Sequence, residues 1–246
     1  MAKIISLLNF KGGVGKTTST HSLGAALKNF GKKVLLIDLD PQGTLTFFST
    51  QEVIKNSSLE LLFHTVTVEE CILTGEEFDL IPSNIKLATS ELELNGHYGK
   101  EFRLKNALEG FSDKYDYILI DCPPSLSVFT LNALTASSDL IIPCECELAS
   151  LEGLELLLAT LKSPIKQLNP KLNIFGILPT KLDYRKNISK EVYEALQVEY
   201  KNILPAIRIN SKLSELGIEK KSIFKDDKNS NGAKDYLEVA QVIVNG

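Results

Sequence analysis

Short runs of consecutive apolar residues recur along the chain, each followed by a longer stretch whose apolar positions fall three or four apart. The short runs predict strands at Lys3–Asn9, Lys33–Asp38, Phe78–Pro82, Tyr117–Asp121, Leu140–Pro143 and Ile174–Pro179, with a weaker seventh at Ile203–Ile207. Several of them, such as Val34-Leu35-Leu36-Ile37, show no polar alternation, the pattern of strands buried on both faces of a parallel sheet. The longer stretches predict helices at Lys16–Asn29, Lys100–Gly110, Ser127–Ala136, Leu151–Lys162, Ser189–Tyr200 and Ala233–Val244. Strand and helix in alternation give an α/β fold, a mostly parallel twisted sheet with helices on both faces. The polar segment Lys225–Gly232 reads as a surface loop.

Composition narrows this picture. The chain has 246 residues, 43% of them hydrophobic, enough for one sizeable core and read as a single domain over 1–246. A net charge of −4 excludes binding to nucleic acid through overall charge. The charge is unevenly placed: residues 1–159 carry 12 basic and 21 acidic side chains, residues 160–246 carry 15 and 10. The basic last third is either a polyanion-binding face or ordinary solvated surface.

Four cysteines (Cys71, Cys122, Cys144, Cys146) do not make a disulfide scaffold and suit a reducing cytosol. Cys144-Glu145-Cys146 has one residue between its thiols and reads as packing, not as a zinc or redox pair. His21, His64 and His97 show no metal-type spacing. No apolar run is long enough for a transmembrane helix, and Ile4–Leu8 reads as a buried strand, not a signal peptide.

The strongest chemical signal is Lys11-Gly12-Gly13-Val14-Gly15-Lys16-Thr17-Thr18, between the first predicted strand and the first predicted helix. Glycines there let the backbone turn its N–H groups toward phosphate oxygens, and the helix N-terminus adds partial positive charge. Lys16 is placed for the β- and γ-phosphates, the Thr17 hydroxyl for Mg²⁺, and Thr18 for a further phosphate hydrogen bond. The usual phosphate loop would have glycine at position 10; here Phe10 stands there, and a lysine opens the loop. Three carboxylates stand at or just beyond the ends of predicted strands. Asp121 is placed to hold Mg²⁺, Asp40 to orient the attacking water, and Asp38 to serve the loop or the metal shell; each also suits a helix-capping role.

These residues resemble the ParA/Soj partition ATPases of the ParA/MinD superfamily. Lys11–Thr18 looks like its deviant Walker A motif, Asp38-Leu39-Asp40-Pro41-Gln42-Gly43 like its D-x-D-P-Q-G element, and Asp121-Cys122-Pro123-Pro124 like its D-x-P-P switch. The resemblance implies ATP and Mg²⁺ as cofactors, and an ATP-sandwich homodimer in which Lys11 reaches the partner's nucleotide, with Gly12 keeping the backbones close. It implies base contacts near Thr180-Lys181 or on the Pro205–Asn210 loop.

It further implies non-specific binding to double-stranded DNA, with Arg185 and Lys212 at matching positions and Lys186, Lys190, Lys220 and Lys221 widening the patch. Relatives often carry arginine where this chain has Lys212, and a basic segment where it has Asp226 and Asp227. A ParB-like centromere-binding partner and a cytoplasmic, nucleoid-associated location follow from the same resemblance. No N-terminal helix-turn-helix is expected, since the first predicted strand opens at Lys3. Alternatives are a MinD-like membrane regulator, for which Tyr236–Gly246 carries no Lys or Arg, a metal-cluster protein, for which Cys122 lacks a companion, and positioning of a non-DNA cargo on the nucleoid.

Overall fold

The structure, a computed structural model, describes residues 2–246, without the side chains of 112, 218 and 219. Its centre is a six-stranded sheet of β1 (Lys3–Leu7), β2 (Val34–Asp38), β3 (Asp79–Ile81), β4 (Tyr117–Asp121), β5 (Asp139–Glu145) and β6 (Asn173–Thr180). The spatial order is β3-β2-β4-β1-β5-β6, and every pairing is parallel. All strands therefore end on the same edge. Chain order reverses around β1, and the loops leaving β1, β2 and β4 open side by side there, the setting in which open α/β sheets bind ligands.

Alternate residues of each strand feed two separate cores. Leu35, Ile37, Ile118 and Ile120 face one, with Phe129, Leu154, Leu157, Leu161, Val192 and Leu196 from the helices above. Val34, Leu36, Tyr117 and Leu119 face the other, with Leu23, Leu27, Leu213, Tyr236, Val239 and Ile243. A strand's two-residue period makes both sides of the sheet apolar, so helices cover both.

The six main predicted strands are present. The seventh, Ile203–Ile207, is not: it meets β6 through one isolated bridge, Ile177 to Ile203, and a bond from the Ile207 amide to the Pro179 carbonyl at 2.8 Å. Pro179, in β6, has no N–H to donate and interrupts the ladder. The helix expected at Leu151–Lys162 runs from Leu148 to Leu168. The one expected at Lys100–Gly110 is a 3₁₀ turn, Lys100–Phe102, leading into a helix at Arg103–Leu108. The Lys225–Gly232 segment is not all loop, since it overlaps a short helix at Ile223–Asp227 and the start of the last helix, Asn231–Asn245.

Candidate functional site

The loop after β1 is held open from below. Asn9 donates through Nδ2 to the Pro143 carbonyl at 2.7 Å and accepts from the Lys11 amide at 3.0 Å. Thr180, at the end of β6, donates to the Val14 carbonyl at 2.8 Å. Gly13 (φ 76°) and Gly15 (φ 91°) take left-handed conformations that side chains rarely adopt. Space lies above the loop, because a Cβ on Gly12 or Gly13 would meet nothing within 4 Å. Gly15 then leads into the helix Lys16–Asn29, whose first amides have no side-chain cap and face that space.

Lys16 is 7% exposed and its Nζ donates to the Lys11 carbonyl at 3.4 Å. Burial draws its pKa below the ordinary lysine range, against the opposing pull of Asp121. Thr17 donates to Asp121 Oδ2 at 2.7 Å, and Thr20 to Oδ1 at 3.4 Å. Asp121 and Asp38 are register partners at the ends of β4 and β2, and both are wholly buried. Burial pushes the Asp38 pKa up to about 7, and burial with the neighbouring Asp38 charge pushes Asp121 well above the carboxylate range. Two adjacent carboxylates and a threonine hydroxyl are hard oxygen donors that suit Mg²⁺. Among the described residues no cluster of three or more His, Cys, Asp or Glu is arranged to hold a metal alone. That fits an ion that arrives with phosphate oxygens and water completing its shell. Asp40 lies two residues beyond Asp38, half-buried, its Oδ1 accepting from the Gln42 amide at 2.9 Å.

Lys11 stands at the rim, its side chain 34% exposed. It pairs with Glu147, lies 3.6 Å from Glu145 and donates to Ser150 at 3.3 Å. Burial lowers its pKa, and the bond to Glu147 with the charges of Glu147 and Glu145 more than offsets this, leaving it above the ordinary value. Lys181, in a left-handed conformation, holds the other oxygen of Glu145 at 3.1 Å.

Beside the loop is a cleft of about 430 Å³ lined by Gly15, Thr18, Thr180, Lys181, Arg208 and Asn210 among others. Ile207, Ile209 and Leu213 give it apolar walls, as a nucleotide base requires. Pro205 does not line it. A bidentate contact from Arg208 to Asp235, at 3.0 Å (Nε) and 2.5 Å (Nη2), ties this wall to the last helix. In the switch segment Pro123 is buried and Pro124 exposed.

The basic residues divide. Arg185 is 82% exposed and forks onto Asp183 at 2.8 and 2.9 Å, which lowers the Asp183 pKa to about 2. Lys186 immediately precedes the helix Asn187–Glu199, with Lys190 one turn further on. Lys212 is partly neutralised by Glu215 at 3.1 Å and Asp226 at 3.4 Å. Lys220 lies beyond the other end of the same helix, Ser211–Glu219, over the Phe47 ring at 4.8 Å, with Lys221 next to it. Lys212 and the Lys220–Lys221 pair are thus set at opposite ends of one short helix.

The model of an AAA domain matches residues 2–174. The sporulation initiation inhibitor protein Soj of Bacillus subtilis is 43% identical over 259 residues, with all of both chains covered. The chain belongs to the Soj/ParA family of P-loop ATPases. Another Soj/ParA member, the chromosome-partitioning ATPase Soj of Treponema pallidum, is 39% identical over 99% of this chain and 98% of its own. Among solved Soj/ParA-like folds, a Borrelia burgdorferi plasmid partition protein bound to AMPPNP superposes with a TM-score of 0.85 at 30% identity, covering 100% of this chain and 99% of its own. A Mycobacterium smegmatis structure described as cobyrinic acid a,c-diamide synthase with bound ADP and magnesium superposes with a TM-score of 0.86 at 36% identity, over 99% and 94%.

Asn9, Glu145 and Glu147 were not expected from the sequence. Asn9 closes a predicted strand, and Glu147 is distant in the chain from the lysine it holds, so neither carries a local signal.

Proposed function

We propose that this chain hydrolyses ATP with Mg²⁺ as a partition ATPase, and that ATP pairs two copies into a dimer that holds double-stranded DNA without sequence preference. The observation that carries it is the Thr17 hydroxyl bonded to Asp121 beneath an open glycine loop, with Lys16 above and Asp40 alongside. In this reading the loop amides and Lys16 hold the triphosphate. Thr17 and Asp121, with Asp38 behind them, hold the ion, which when bound neutralises charge on the phosphates. Asp40 orients water for attack on the terminal phosphorus, the P–O bond to the leaving diphosphate breaks, and the water proton passes to the carboxylate or to phosphate.

Lys11 exchanges Glu147 and Glu145 for phosphate charge on the partner copy, so ATP becomes part of the dimer contact. Pairing doubles every basic contact to DNA, so one equilibrium gates both. Arg185, Lys186, Lys190, Lys212, Lys220 and Lys221 supply the contacts, the cleft beside Thr180 and Lys181 receives the base, and a ParB-like protein stimulates turnover. A lipid-bound reading is disfavoured: the last helix turns Tyr236, Val239, Ala240 and Ile243 into the core. No helix among the described residues is long and apolar enough to cross a membrane.

The test is phosphate release from Mg²⁺-ATP with duplexes of unrelated sequence, or with lipid vesicles. Turnover that needs Mg²⁺ and rises with any duplex supports the reading. No release, or stimulation by vesicles and not by DNA, contradicts it.

A further inference from the structure

Asp40 lies outside the glycine loop, two residues past the end of β2. Its backbone belongs to a closed ring of hydrogen bonds among four residues from three elements. Asp38 Oδ1 accepts from the Asp40 amide at 3.1 Å. Asp38 Oδ2 accepts twice from Thr46, in the helix Thr44–Ser49: from the amide at 2.9 Å and from the hydroxyl at 2.7 Å. A threonine hydroxyl has one proton. Having given it to Asp38, Thr46 Oγ1 can only accept, and it accepts from the Ser83 amide at 2.8 Å. Ser83, just beyond β3, closes the ring by donating its hydroxyl to the Asp40 carbonyl at 2.6 Å. Thr46 is 6% exposed and Ser83 is 2% exposed, so no competing water bathes these bonds.

We propose that Thr46 and Ser83 are positioning residues for the Asp40 carboxylate, Ser83 holding its main-chain carbonyl directly and Thr46 holding its amide through Asp38, so that the side chain meets the attacking water at one fixed point. The proposal rests on the reading of Asp40 as the water-orienting group. Losing the Thr46 hydroxyl leaves the buried Ser83 amide without its acceptor, and losing the Ser83 hydroxyl takes from the Asp40 carbonyl one of its two donors, the other being the Gly43 amide at 2.9 Å, so either change loosens the turn. Misplacement of a reacting group by about 1 Å costs about a hundredfold in rate. Nucleotide affinity comes from Lys16 and the loop amides, outside the ring, and should hardly change, since Asp38 keeps the Thr46 and Asp40 amides as donors when either hydroxyl is removed.

The test compares Thr46→Val, Thr46→Ser, Ser83→Ala and Asp40→Ala in the full chain. It reads steady-state phosphate release (kcat and KM), binding of a fluorescent ATP analogue, and thermal melting. The expected result is a kcat loss of about tenfold or more in Thr46→Val and Ser83→Ala, with KM and analogue affinity within about twofold. Thr46→Ser, which keeps the hydroxyl, returns kcat to near the wild-type value. Turnover within about twofold of wild type in both hydroxyl-lacking variants overturns the proposal. So does a kcat loss that follows melting temperature across the variants instead of loss of the hydroxyl. Wild-type turnover in Asp40→Ala overturns the reading of Asp40 itself, and that failure is distinguishable because it is read in a variant with the ring's side chains intact.

Discussion

His21 gives the protein a stability that depends on acid in a predictable direction. It lies in the helix that begins with Lys16 and Thr17, is 2% exposed, and packs edge-on against Phe78 at 5.2 Å and Phe48 at 6.2 Å. Its Nδ1 has no hydrogen-bond partner among the described residues. Burial pushes its pKa down from 6.5 to about 4. Between those values the unfolded chain binds a proton that the folded chain refuses, so folding weakens as pH falls. The contribution is complete above pH 6.5, amounts to a loss of about 2 kcal/mol at pH 5, and reaches about 3 kcal/mol at pH 4. The groove beside His21 carries both signs, Glu52, Glu76 and Glu77 against Lys220, Lys221 and Lys225, so no single charge opposes the effect of burial.

The perturbation is His21→Leu, and the assay is urea unfolding of the nucleotide-free protein from pH 7.5 to pH 4. Asp38, raised to about 7, acts in the reverse sense over the same window and loses stability as pH rises. It is present in both proteins and cancels in their difference. Wild type minus variant should fall by about 3 kcal/mol on going to pH 4. A difference flat to within about 0.5 kcal/mol would refute the reasoning, because the imidazole would then take its proton without unfolding.

Lys16→Gln should weaken ATP binding at least about tenfold while leaving the fold intact, measured by equilibrium binding and circular dichroism; unchanged affinity would contradict the placement of the phosphates. Arg208→Leu leaves the buried Asp235 carboxylate short of its forked partner and should lower unfolding stability by about 2 kcal/mol, measured by denaturant titration. Arg185→Glu with Lys212→Glu should flatten the log–log salt dependence of DNA binding by about 0.9 for every phosphate that a chain ceases to neutralise. An unaltered slope would place the DNA face elsewhere.

The strands, the glycine loop and the three aspartates were legible because each is a contiguous signal: an apolar run, a spaced motif, a carboxylate at a strand's end. What lay hidden joins distant segments. Lys11 meets Glu147, Thr180 meets Val14, and Thr46 meets Ser83, and no window of sequence contains both members. Two helices of nine residues, Leu87–Asn95 and Ser211–Glu219, were missed, and so were short helices of four to six residues, which show no period. Two of the short ones still carried a readable mark: Ser57 with Glu60, and Thr67 with Glu70, each form a capping box at the start of a short helix. The false seventh strand had the right composition, and what stopped its ladder was Pro179 on the neighbouring strand, outside its own window.

The central claim is that ATP itself joins two chains through Lys11. Sedimentation equilibrium of Asp40→Ala, which on this reading of Asp40 should retain unhydrolysed ATP, tests it most directly. The 27.2 kDa chain should double its mass with Mg²⁺-ATP, remain single with Mg²⁺-ADP, and remain single with Mg²⁺-ATP once Lys11→Ala is added. A chain that stays single with Mg²⁺-ATP, or that pairs regardless of nucleotide or of Lys11, would contradict the account.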